Sequence, residues 1–170
     1  MAELDVRPEG ARDRPPRRRI EGVESAALSV HLDHRGSLFE IVDFDGPFWQ
    51  EPVVYAYAIT VRPGRIKGWG MHKLQTDRYA ILCGSVRVVL FDGRPGSATH
   101  GEFEEHQLSA EAPGLLAIPP GVWHADQNWG EADALIVNFP TRPYDRDAPD
   151  KYRIDPHSGE IPFDWSLRDG

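Results

Sequence analysis

The sequence predicts an all-β fold, a sandwich or a small barrel, and three observations carry that prediction. From residue 25 onward, short apolar runs rich in Val, Ile, Tyr and Phe alternate with turns bearing Gly, Pro and Asp. Several runs alternate apolar with small or polar residues, the period of a strand buried on one face. No stretch of the core sustains the 3.6-residue period of an amphipathic helix. A chain of 170 residues is expected to form one domain with a real core.

In chain order, residues 1–20 carry five arginines in their last nine positions and almost no apolar side chains. Such a segment cannot bury enough surface to offset its ordering entropy, so a flexible basic arm is expected there. Residues 21–170 are expected to form a single β-barrel domain. Its candidate strands are AALSVHL (26–32), SLFEIVDF (37–44), VVYAYAITV (53–61), DRYAILCGSVRVVLF (77–91), GLLAIP (114–119) and ADALIVNF (132–139). VVYAYAITV and SVRVVLF partly alternate, as half-buried strands do. After about residue 140 the chain becomes Pro- and Asp-rich, and an extended segment wrapping the barrel is expected. Between 114 and 128 an apolar run meets Pro119-Pro120-Gly121, then His124 and Asn128. The prolines remove ladder donors at a corner and Gly121 permits the bend, so the next strand can aim His124 into a barrel mouth.

Composition excludes several functions. A net charge of -8 leaves no overall electrostatic footprint for nucleic acid. The lone Cys83 excludes an internal disulfide framework. No apolar run approaches the ~20 residues that span a bilayer, and the charged, Pro-rich N-terminus lacks the apolar stretch of a secretory signal. A cytoplasmic protein with no nucleic-acid or membrane partner is expected.

Two segments resemble the motifs of the cupin superfamily. One is Gly114 followed by Pro119, Gly121, His124 and Asn128 in the spacing P-x-G-x-x-H-x-x-x-N. The other runs from Gly64 through His72 and Asp77 to Gly84, with Gly70 where the pattern has a first histidine and Asp77 where it has glutamate. The resemblance implies a cupin-type double-stranded β-helix, a jelly-roll barrel.

From about residue 33 to 165 the chain also resembles the dTDP-4-dehydrorhamnose 3,5-epimerase family of nucleotide-sugar cupins. The matching residues are Asp33, Arg35, Gly36 and Glu40; Gly70-Met71-His72; Asp92, Arg94, Gly96, Ser97, Thr99 and Gly101; Leu108-Ser109-Ala110; and Asp155-Pro156, Ile161 and Trp165. This resemblance implies that His72 is a base removing a proton next to a ketone, a task suited to an imidazole that titrates near neutrality. The family's tyrosine, which supplies a proton from the opposite side, falls on Asn138. An amide cannot donate that proton but can steady an enolate oxygen, so Asn138 and His124 are expected to hold the carbonyl oxygen. The arginine beside the base becomes Trp69 or survives as Lys67, and a lysine becomes Asp77. Arg35, Glu40 and Tyr144 inherit substrate-binding roles by the same resemblance.

The expected function is that of an isomerase or epimerase acting on a keto-sugar, with a dTDP-linked 4-keto-6-deoxysugar as the implied substrate. One centre rather than two is expected to be epimerised, because a second face needs a second proton donor. No cofactor belongs to this reading, and the family implies a homodimer. Two alternatives stay open. His72, Asp77 and His124 occupy three of the four ligand positions of metal-binding cupins, and two histidines with one carboxylate suit Fe, Mn, Ni or Zn. A non-catalytic cupin that binds a sugar or nucleotide would also tolerate loss of the tyrosine. Trp69 and Trp123 are either aromatic walls or ordinary packing. His31, His34, His100, His106 and His157 are expected to be solvated.

Overall fold

Strands, turns and irregular segments make up the described residues, 19–167, of the computed structural model, and no helix occurs among them. Residues 1–18, nearly all of the expected basic arm, lie outside that range. In chain order the strands are β1 (Glu24–Ala27), β2 (Val30–Asp33), β3 (Gly36–Phe39), β4 (Tyr57–Val61), β5 (Ile66–Met71) and β6 (Asp77–Cys83). There follow β7 (Ser85–Asp92), β8 (Phe103–Ser109), β9 (Gly114–Ile118), β10 (Val122–Gln127), β11 (Ala134–Asn138) and β12 (Tyr152–Arg153). One five-stranded sheet has the order β1-β9-β6-β11-β4 and the other β12-β5-β10-β7-β8. Every pairing is antiparallel, and strands distant in sequence lie side by side, as in a cupin-type jelly roll. β2 and β3 form a separate hairpin.

Inward positions follow the two-residue period of a strand. On β4 they are Tyr57, Ile59 and Val61, on β6 Asp77, Tyr79 and Ile81, and on β11 Ala134, Ile136 and Asn138. Val61, Ile81, Ala134 and Ile136 join Val86, Val88, Leu90 and Leu116 in the main core. At about 25 cal/mol per Å2 of apolar area, each of the Val, Ile and Leu side chains contributes roughly 1.5–3 kcal/mol. Toward one end these strands change from apolar to polar inward residues, and that end carries the site.

β7 differs from the half-buried strand expected for SVRVVLF. Val86, Val88, Val89 and Leu90 are all fully buried, because a second layer covers the outer face. Val89 packs there with Trp69, Ala125 and Ile161, and with Phe163 and Trp165 from the C-terminal segment. His106 also departs from expectation. It is half-buried on β8, with Nε2 2.9 Å from Glu104 Oε1, rather than solvated.

Two polar motifs prove to be fasteners. Asp92 is wholly buried, and its carboxylate accepts from Arg94 Nε and Nη2 (each 2.8 Å), Ser97 Oγ (2.6 Å) and Thr99 Oγ1 (2.6 Å). Burial alone would push this carboxyl up, but those donors hold it far below the usual carboxylate range. Asn128, also buried, donates to the carbonyls of Val61 (2.7 Å) and Ala132 (2.8 Å) and accepts from the Gly130 N–H (2.8 Å). The corner glycine has φ +82°, and a Cβ there would sit 2.8 Å from Arg94 Cγ. Only glycine fits without strain. The N–H of Gly121 donates to the carbonyl of His72 at 2.7 Å, so the corner braces the other motif's histidine.

Candidate active site

Three side chains from three strand ends converge. His72 follows β5, Asp77 opens β6 and His124 lies on β10. Asp77 Oδ2 lies 3.4 Å from His72 Nε2 and 3.6 Å from His124 Nε2. The two imidazoles stack at 5.9 Å with 21° between planes, and Tyr79 meets His124 edge-on. Asp77 is 2% exposed. Its Oδ1 accepts from Gln75 Nε2 at 2.8 Å, while Oδ2 has no hydrogen-bond donor. Burial pulls the His124 imidazole below the usual histidine range.

His72 is fixed from behind by the C-terminal segment. Its Nδ1 hydrogen-bonds the carbonyl of Asp150, and the Asp150 carboxylate accepts from the N–H groups of Lys73 (2.9 Å) and Leu74 (2.7 Å). A carbonyl only accepts, so Nδ1 carries a proton, and the tautomer this bond selects is the one with its lone pair on Nε2.

Two cavities meet at this histidine. The inner one, about 490 Å3, is lined by His72, His124, Asp126, Tyr79, Lys67 and Tyr57, among others. The outer one, about 600 Å3, is lined by Arg142, Arg146, Tyr144, Tyr55 and further residues of the C-terminal segment. His72, Tyr57, Lys151 and Arg153 belong to both and form the throat between them. In the outer chamber Arg142, Arg146, Lys151 and Arg153 outnumber Asp145 and Asp150, so it is cationic despite the acidic chain. Asp126 is 3% exposed in the inner chamber, and its Oδ1 lacks a partner. Burial, with Asp77 adding its charge, pushes the Asp126 carboxyl up to about 7.

The structure gathers some of the expected residues and disperses others. His72, His124 and Lys67 line the inner chamber and Tyr144 the outer one. Trp69 borders the inner chamber, but its ring packs with the C-terminal aromatics. Its ring is fully buried outside the barrel, 5.2 Å from Trp165 and edge-on to Phe163. Gly70 is the inward residue at this level, so its neighbour must point outward. Asn138 does not offer its amide to a carbonyl oxygen. It is wholly buried, with Oδ1 accepting from the Arg78 N–H (2.9 Å) and Nδ2 donating to Tyr57 Oη (2.9 Å). Arg35 and Glu40 are exposed at the β2–β3 hairpin, away from both chambers, and Arg35 pairs with Asp33. Sequence reasoning missed Tyr57, Tyr79 and Asp126, which the two-residue period could have placed inward. It also missed Asp150, Arg142, Arg146, Lys151 and Arg153, which sit outside the barrel strands or on the short β12 and had no such signal.

His72, Asp77 and His124 each offer a ligand atom, all within 4.8 Å of one another, so the three converge on one point. A Cβ on Gly70 would lie 3.3 Å from His124 Nε2, so position 70 faces the same centre but brings no donor.

Residues 31–152 match the family model described as the polysaccharide biosynthesis C-terminal domain. The chain belongs to that family. This cupin is 34% identical over 147 residues to the spore coat polysaccharide biosynthesis protein SpsL of Bacillus subtilis, covering 86% of this chain and 97% of SpsL. It is 32% identical over 149 residues to the Haloferax volcanii protein named Probable low-salt glycan biosynthesis epimerase Agl13, covering 86% of this chain and 95% of Agl13. Among solved structures, a dTDP sugar isomerase from Desulfovibrio desulfuricans G20 superposes with a TM-score of 0.80 at 30% identity, covering 88% of this chain and 94% of that one. The family is thus that of the dTDP-sugar epimerase and isomerase cupins, as the motifs implied. No described helix is long and apolar enough to cross a membrane.

Proposed function

We propose that this cupin epimerises a nucleotide-linked keto-sugar, with His72 removing the proton next to the carbonyl. The observation that carries the proposal is the position of His72 in a throat between a cationic, aromatic chamber and a smaller polar one. A nucleoside diphosphate fits the outer chamber, where guanidinium groups match phosphate oxygens and Tyr55 and Tyr144 offer faces to a base. The sugar ring then passes the throat and presents its acidic C–H to the lone pair of His72 Nε2. As the imidazolium forms, the buried carboxylate of Asp77 stabilises it. Opposite charges ~4 Å apart at an effective dielectric of ~20 gain roughly 4 kcal/mol. Lys67 and His124 face the inner chamber and are assigned to the developing enolate oxygen, in place of Asn138. The likeness to a dTDP sugar isomerase supports a dTDP-linked 4-keto-6-deoxysugar as the substrate. The expected result is incorporation of solvent deuterium next to the ketone by the wild type and its loss in His72→Ala with the fold intact. Exchange at the wild-type rate in His72→Ala would remove His72 as the base, and no exchange by the wild type would remove the enzyme reading.

A second reading rests on Asp77 Oδ2, which is buried, undonated and faced by two imidazole nitrogens. A divalent Fe, Mn, Ni or Zn ion bound by His72, Asp77 and His124 would also answer that arrangement, as a Lewis acid toward a carbonyl oxygen. Stoichiometric metal in untagged protein, lost in Asp77→Ala, would replace the metal-free mechanism.

The same proposal includes a homodimer. The β2–β3 hairpin pairs with neither main sheet and exposes Val30 (42%), Leu32 (79%) and Leu38 (61%). A second copy covering those side chains would bring Arg35 and Glu40 toward a neighbouring chamber. A monomer by light scattering would end that part of the proposal.

A further inference from the structure

Epimerisation needs a proton returned to the face opposite the one His72 attacks, and Asn138 has no acid to give. The hydrogen bonds around Asn138 point to the group that does. Its Oδ1 accepts from the backbone N–H of Arg78, so the amide cannot be flipped, and Nδ2 must be the end that meets Tyr57 Oη. An amide NH2 only donates. Tyr57 Oη is therefore the acceptor in that bond, and its own hydroxyl proton is aimed elsewhere. Among the described residues no other acceptor is recorded for it.

The placement of Tyr57 is equally specific. It opens β4 in the β1-β9-β6-β11-β4 sheet, whereas His72 extends from β5 in the facing sheet. Both residues belong to the throat shared by the two chambers. A substrate threaded through that throat would meet the imidazole brought by one sheet and the phenol brought by the other.

Resting on the epimerase reading above, we propose that Tyr57 is the proton donor opposite His72 and that Asn138 is its positioning residue. His72 Nε2 takes the proton from the carbon next to the ketone, and the C–H electron pair becomes the enolate. Tyr57 Oη–H then delivers its proton to the other face of that carbon, forming a new C–H bond and leaving a tyrosinate. The imidazolium loses its proton to water and the tyrosinate regains one, so the cycle closes without any external reagent. Burial, with a contribution from the charge of Asp77, pushes the Tyr57 hydroxyl up to about 12, so it is protonated at neutral pH. The Nδ2 donor of Asn138 steadies the tyrosinate formed in the step.

The test separates proton removal from inversion. With a dTDP-4-keto-6-deoxyhexose in deuterated water, Tyr57→Phe is expected to stay folded, with a lowered melting temperature because the buried Asn138 Nδ2 loses its acceptor, and to keep His72-dependent exchange with retained configuration. Formation of the epimer is expected to fall at least ~100-fold, the lower range for loss of a general acid. Asn138→Ala is expected to shift the ratio of exchange to inversion in the same direction without changing KM, which a general loss of folded protein would not do. Epimer formation by Tyr57→Phe within threefold of wild type, while the wild type exchanges, overturns the role of Tyr57 alone. Parallel loss of exchange and inversion in Asn138→Ala overturns its positioning role. Absence of exchange in the wild type overturns the epimerase reading and the role of Tyr57 with it.

Discussion

Asp92→Asn tests whether the buried Asp92–Arg94 pair is a fastener or a displaced phosphate site. Oδ1 accepts from the Arg94 N–H (3.0 Å) and Nε, and Oδ2 from Arg94 Nη2, Ser97 Oγ and Thr99 Oγ1. If Oδ1 becomes NH2, two N–H donors of Arg94 face it; if Oδ2 does, Arg94 Nη2 faces it and both hydroxyls must turn from donor to acceptor. Arg94 would also lose the charge that holds it against the Glu21 carbonyl, 2.8 Å away. Removing one partner of a buried ion pair costs about 3–5 kcal/mol. For a domain of this size each kcal/mol is about 2–4 °C, so the melting temperature should fall by roughly 6–20 °C.

The pH dependence has a definite sign. The folded carboxyl titrates far below the usual 3.8. Its stabilisation is therefore complete above the unfolded value and is lost only as pH falls through the folded one. Wild type and variant should differ by a constant amount from pH 5 to 8 in urea denaturation and converge only in stronger acid. Neither Asp92 nor Arg94 lines a chamber, so nucleotide affinity should not change where both proteins are folded. A stability difference below 1 kcal/mol at pH 7, or a weakened nucleotide affinity, would refute the fastener.

Other outcomes follow from the site. Asp77→Asn removes the charge that stabilises the imidazolium, so kcat should fall roughly 10–100-fold (about 1.4–2.8 kcal/mol) with nucleotide affinity unweakened; a loss confined to KM would place Asp77 in binding instead. Thymidine diphosphate at a hundred times its dissociation constant should stabilise the fold by ~2.7 kcal/mol in thermal melts, and Arg142→Ala with Arg153→Ala should abolish the gain. An unmoved melting curve at millimolar nucleotide would favour a substrate without a nucleotide.

The apolar strands were legible because a two-residue period survives in a single sequence, whereas Gly-rich β5, charged β8 and the short β12 carry no apolar run and were not among the expected strands; the corner histidine was legible because glycine and proline spacing is itself backbone geometry. Asn138 shows where legibility ends. Its position was readable, but its role depends on a tyrosine 81 residues away on a neighbouring strand, and no local pattern reports that contact. Trp69 could have been placed correctly. Once Gly70 faces His124, the alternation of β5 sends Trp69 outward. The cations of the outer chamber were beyond reach, since irregular segments carry no period from which to infer a direction.

A carboxylate in place of a lysine at position 77 would repel an anionic substrate close by, and the position of the charge resolves that conflict. Asp77 opens β6 beside His72 and His124, and it lines neither chamber. The positive groups are supplied instead by Arg142, Arg146, Lys151 and Arg153, at the outer chamber and the throat. Under the proposed function a diphosphate would therefore meet guanidinium groups in the outer chamber, while the carboxylate would act behind the base. Because the same C-terminal segment brings both the cations and the Asp150 carbonyl that orients His72, substrate capture and alignment of the base are built into one piece of chain. Loosening that segment should weaken binding and chemistry together, whereas a change at Asp77 should touch the chemistry alone.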